Sequence, residues 1–150
     1  MLLYYDIEEN ELIKNGEIMC RYSEDVKKEI WDKKGQTIEG ENPDEVRLDA
    51  AGALMHWDKY GDRSNPYGWE VDHIFPESKL RGNVASEMID NIGNLRPMQW
   101  QNNESKGNDY PSYRSVVMAK DGKNVEVIRE LIVNAGVRKC IDNLYQEYLK

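Results

Sequence analysis

Cysteine is nearly missing from this sequence, with 2 in 150 residues. Cys20 and Cys140 stand far apart and fit no C-x-x-C spacing, which excludes a cysteine metal clip, a redox pair of that kind and a disulfide framework. No apolar run approaches the roughly 18 residues that a membrane span requires, and mean hydropathy is -0.81. The opening, MLLYYDIEENE, is acidic by its sixth residue and lacks the basic start and long apolar core of a secretory signal. These absences leave a reduced, cytoplasmic protein with no membrane partner as the expected setting. Internal repeats and low-complexity linkers are missing too, and a composition of 39% hydrophobic and 32% charged residues is that of a globular chain. At this length one domain, 1–150, is expected.

Basic charge is the other shortage. The chain has 28 acidic against 20 basic residues, for a net charge of -8. Only the last forty residues carry more bases than acids, 7 against 5. A non-specific nucleic-acid binder draws most of its affinity from neutralising phosphates with a basic face. This chain has no such surplus, so any contact with nucleic acid must be local, bridged by a metal or helped by a protein partner that supplies a basic surface.

What is present reads as an α+β chain. The runs LLYYDI, ELI and EIMC, broken at Glu9-Asn10 and Asn15-Gly16, have the pattern of short strands and turns. Ser23 followed by Glu24 and Asp25 is an N-cap with an acidic first turn, opening a short helix through Trp31. Residues 35–45 (GQTIEGENPDE) read as a loop, and 46–57 (VRLDAAGALMHW) fit helix or strand equally by periodicity. The turn formers of YGDRSNPYG deliver the chain into WEVDHIF, a strand that Pro76 ends. A loop to about Asn91 follows, then a strand near Leu95–Met98 and a helix of about two turns over WQNNESKGN that stops at Gly107. RSVVMAKDGKNVEV folds back on Asp121-Gly122 as a hairpin. Ile128 to Leu149 reads as one or two closing helices, interrupted at Asn134-Ala135-Gly136.

Chemistry gathers on the strand, loop, strand and helix in the middle of the chain. Asp72 and His73 end the first strand, Asn94 precedes the second, and Asn103 and Lys106 lie on the helix. Phosphodiester hydrolysis needs a base that works near neutral pH, for which imidazole is the natural choice. It also needs charge neutralised on the phosphate and on the leaving oxygen. Neighbouring residues of a strand face opposite ways, so Asp72 and His73 can serve one centre only if the strand ends there.

The segments GWEVDHIFP and DNIGNLRPMQWQNNESKGN resemble the HNH endonucleases, the ββα-metal nucleases. The likeness covers roughly residues 45–115, with a ββα core at about 68–108. It implies that His73 is the general base, that Asn94 bonds across to orient it, and that Asp72 and Asn103 ligate a metal; the asparagine at the last position makes this an HNN variant. Lys106, with Arg96 and Arg114, is expected at phosphate. Many relatives also hold a structural zinc with flanking cysteine pairs, and here Gln99 and Asn102 stand at one such pair, so no structural zinc is expected. A carboxylate and an amide oxygen are hard ligands that suit Mg²⁺ or Mn²⁺. The activity implied is metal-dependent cleavage of DNA, with RNA left open, to 5′-phosphate and 3′-hydroxyl ends. The acidic charge motivates an alternative: an HNH-like protein that has lost turnover and acts by binding a protein partner. Glu70 shares the face of Asp72 as an extra ligand or an ion-pair partner. His56 and the aromatic residues Trp57, Trp69, Trp100 and Phe75 read as packing.

Overall fold

The computed structural model describes residues 3–5, 11–14 and 17–149, with side chains from Arg21 onward. Among them are five α-helices and nine strands, in one three-stranded and three two-stranded antiparallel sheets. β1 (Leu3–Tyr5), β2 (Glu11–Lys14) and β3 (Glu17–Cys20) form the meander expected of the N-terminal runs. The turns expected between them lie outside the described residues. No helix among the described residues is long and apolar enough to cross a membrane.

α1 (Glu24–Lys34) starts where the sequence places it. Ser23 accepts a hydrogen bond from the Val26 amide, and Glu24 and Asp25 fill the first turn. The ambiguous stretch 46–57 is strand: β4 (Val46–Leu48) pairs with β5 (Leu54–His56). Asp49, fully buried between them, accepts the Ala51 and Ala53 amides on one carboxylate oxygen.

β6 (Trp69–His73) pairs antiparallel with β7 (Leu95–Gln99), with Asp72 opposite Arg96 and His73 opposite Leu95. The ribbon is covered on both faces. On one, Val71 and Leu95 pack with Ile30 of α1 and with Tyr22, and Trp69 stacks on Trp31 at 5.0 Å between ring centroids. On the other lies α4 (Trp100–Lys106), which begins without a linker after β7. Gln99 caps α4 by accepting the Gln101 and Asn102 amides, and Gly107 ends it at φ 51°, a conformation that favours glycine.

The connection from β6 to β7, expected as loop, contains α2 (Glu77–Leu80) and α3 (Ser86–Ile89), each about one turn. Leu80, Val84 and Ile89 from it join Ile74, Met98 and Tyr145 in the largest apolar cluster. β8 (Ser112–Lys120) and β9 (Lys123–Ile132) form the expected hairpin, with Asp121 and Gly122 at φ 53° and 77° in its two-residue turn. The closing helix starts later than its apolar spacing indicates. Ile128–Ile132 belong to β9, because β8 offers them a strand partner. Asn134 caps α5 (Ala135–Tyr145) by accepting the Val137 amide.

Candidate active site

His73 is the last residue of β6, and alternation along the strand turns it to the face covered by α1. Its Nε2 lies 2.8 Å from Asp90 Oδ1 and 3.4 Å from the Tyr22 hydroxyl, and its Nδ1 lies 4.0 Å from Glu77 Oε2. Arg21 closes the cluster, donating to both Glu77 oxygens and to Asp90. Burial pushes the Asp90 and Glu77 carboxyls up, but Arg21 together with His73 outweighs it and holds both below the ordinary carboxylate range. Burial pushes the Tyr22 phenol well above its ordinary value, so it stays protonated. When the ring is neutral, a carboxylate on Nε2 favours the tautomer with its proton there, which leaves the Nδ1 lone pair to accept another.

Asn94 is fully buried and acts on backbone. Its Oδ1 accepts the Phe75 amide at 2.8 Å, while Nδ2 donates to the carbonyls of Phe75 and Ile89. The expected bond across to the histidine is replaced by a clamp on the chain two residues beyond it. The Asn94 carbonyl adds a bond from the Ile74 amide at 2.8 Å. This clamp sets where β6 stops and how the imidazole leaves the strand.

Asp72 faces the other way, toward α4. Its Oδ2 accepts from Arg96 Nε at 2.8 Å, and its Oδ1 lies 3.2 Å from Lys106 Nζ. Lys106 also donates to the His73 carbonyl at 3.0 Å. All three side chains are buried. Arg96 and Lys106, expected at phosphate, are therefore turned inward on Asp72, and burial pulls the Lys106 ammonium below its ordinary range despite that carboxylate. Arg114 is exposed and paired with Glu130 at 2.9 Å. Asn103 donates to Glu70 at 2.9 Å, and Glu70 is held by Arg63 at 2.6 and 3.0 Å.

The structure thus brings His73 together with Asp90, Tyr22 and Glu77, and Asp72 together with Arg96 and Lys106. It does not bring Asp72 to Asn103, because both oxygens of Asp72 are taken by Arg96 and Lys106 while Asn103, on the same face, bonds Glu70; alternation to the last residue of β6 carries His73 to the opposite face from Asp72. The donors as they stand do not fit the implied Mg²⁺ or Mn²⁺. Both oxygens of Asp72 meet a cation, Asn103 is engaged by Glu70, and no group of three or more histidine, cysteine, aspartate or glutamate side chains among the described residues is arranged to hold a metal. Sequence reading missed Arg21, Tyr22, Glu77 and, closest to the imidazole, Asp90. Asp90 sits near Asn94 in the segment DNIGN, but its pairing with His73 spans 17 residues that include α2 and α3. Gln99 and Asn102, standing where a zinc-binding pair would be, hold the same corner by hydrogen bonds: Asn102 bonds Asp49 and the Val117 carbonyl and accepts the Val116 and Val117 amides.

Compared with models of known families, with curated proteins and with solved structures, the chain matches none.

Proposed function

We propose that this chain is an HNH-type endonuclease that hydrolyses phosphodiester bonds in DNA, with His73 as the general base. The observation that carries the reading is the imidazole at the end of β6, held through Nε2 by Asp90 and steadied by the Asn94 clamp, on a unit of strand, strand and helix in the order the family uses. In the proposed reaction Nδ1 of His73 takes a proton from water, and the oxygen attacks phosphorus in line with the leaving group. The imidazolium that forms is stabilised by the ionised Asp90, which also prevents the ring from rotating. Tyr22 bounds the ring on the side of α1.

The test is cleavage of plasmid and single-stranded DNA at low salt with Mg²⁺ or Mn²⁺, beside an EDTA control. Nicking that falls by about 10²-fold or more in His73→Ala, as expected for loss of a general base, supports the reading. Nicking unchanged in His73→Ala overturns it.

The two cations on Asp72 favour a second reading, in which the chain binds a protein partner without turnover. A divalent ion is repelled where Arg96 and Lys106 already neutralise the carboxylate. Under that reading the wild type neither cleaves DNA nor binds Mn²⁺.

A further inference from the structure

We propose that a cavity on the far side of Arg96 from Asp72 is a binding site for a phosphate-type oxyanion, formed by Lys34, Arg96 and the first turn of α5. The cavity, of about 200 Å³, lies between the end of α1, β7, β8 and the start of α5. Lys34, Gln36, Arg96, Tyr113 and Asn134 supply its polar wall, and Ile74, Val133 and Val137 are among its apolar residues. No carboxylate lines it, which is unusual ground in a chain with a net charge of -8.

Three independent features point to an anion. The first is Arg96: it is buried, its Nε is spent on Asp72, and its Nη2 has no hydrogen-bond partner among the described residues. Such a buried donor is costly to leave unpaired. The second is Lys34. Its ammonium reaches the Gly93 carbonyl only at 3.5 Å, and burial, with Arg96 and Lys33 nearby, holds it below its ordinary range against the opposing effect of Cys140. A half-buried lysine facing other cations, with no carboxylate in the wall, is a cation lacking its counter-charge. The third is α5, eleven residues long, whose first turn carries no acidic side chain and is capped by Asn134 at the cavity rim. A helix start of this kind carries positive potential that favours an anion.

The cavity has room for a phosphate group, and the recognised chemistry is the oxyanion itself, from a free phosphate monoester or from a nucleic-acid backbone. This inference does not require that His73 activate water, since an anion pocket binds phosphate with or without turnover; binding and cleavage can therefore fail separately.

The experiment is a ¹⁵N-resolved NMR titration of the full chain with inorganic phosphate and, separately, with a thymidine dinucleotide carrying one phosphodiester, at ionic strength held constant with sodium chloride. Two variants accompany the wild type. Lys34→Gln removes one cation from a half-buried position. Asn134→Asp keeps an N-cap side chain but sets a carboxylate at the rim. Saturable shifts at Gly93 and over residues 134–137 in the wild type, weakened about two- to fivefold in each variant as for loss of one partly exposed charge interaction, support the proposal. The probe that binds more tightly identifies the source of the phosphate. Shifts that fail to saturate, or that persist unchanged in both variants while their melting temperatures match the wild type, overturn it.

Discussion

At the scale of single residues, Asp72 and His73 are neighbours with opposite fates. Asp72 is buried with two buried cations on its oxygens, 2.8 and 3.2 Å away. His73 is held at its ring edge by the partly exposed carboxylates of Asp90 and Glu77, with the buried Tyr22 beside it. Removing the charge of Asp72 leaves Arg96 and Lys106 facing each other in a site that solvent cannot screen, and breaking a buried pair in this way costs about 3–5 kcal/mol. Asp72→Asn is therefore expected to lower the urea midpoint sharply, with its denaturant dependence unchanged, whereas His73→Ala stays within about 1 kcal/mol of wild type. Equal stabilities for the two variants would show that the carboxylate is not the counter-charge of that pair. The same contrast bears on any activity assay. A loss in Asp72→Asn is informative only beside a folding measurement, while a loss in His73→Ala reports on the reaction.

At the scale of elements, the corner between β7 and α4 fixes the site, and it is built on one buried amide. Asn102 joins α4 to Asp49, which follows β4, and to the backbone of β8. Truncating it strands amides and a carboxylate with no water to replace their partner, at a cost of about 2–4 kcal/mol. Asn102→Ala is thus expected to lower the thermal midpoint by many degrees, and Glu104→Ala, two residues on at an exposed position, to leave it nearly unchanged. Near-equal midpoints would mean that α4 is held by its apolar contacts alone. Elements with local signals were legible in the sequence. The Ser23 cap, the stop at Gly107 and the turn at Asp121-Gly122 each depend on residues within one turn of chain. Elements decided by distant pairing were not. β4 and β5 are strands because they pair with each other, and Ile128–Ile132 joins a strand because β8 lies alongside, although its apolar spacing also suits a helix. The candidate site divides in the same way. The motifs around His73 and Asn94 put both residues at this end of β6, but Asn103, expected beside Asp72, meets Glu70 instead. Asp90 on Nε2, and the inward turn of Arg96 and Lys106, depend on how α3, β7 and α4 pack.

At the scale of the whole molecule, acidity and the cluster around His73 are linked through pH. Folding holds Asp90 and Glu77 below their ordinary range because Arg21, with His73, overcomes the opposing effect of burial. A carboxyl depressed in the folded state binds protons more weakly than in the unfolded chain. Its contribution to stability is then fully present above the unfolded value of about 4 and is lost as pH falls through the lower folded value. Asp49 acts with the opposite sign. Burial raises it, so the folded chain accepts that proton more readily and the cost of keeping Asp49 charged is relieved as pH falls through its raised value. Asp44 and Asp62 are held low as well, by hydrogen bonds from Lys28 and Ser64, and add to the loss in acid. As the acids are neutralised the 20 basic residues are also left to repel one another. Thermal melts from pH 6 down to pH 3 should therefore show falling stability, and the fall should be shallower in the double variant Glu77→Gln, Asp90→Asn, whose amides have no proton to gain. Parallel curves for wild type and double variant would place the acid sensitivity elsewhere and detach it from the groups that hold His73. A shallower curve would mean that the charges orienting the candidate base also hold the chain closed around it, so that acid releases His73 from Asp90 as the core begins to open.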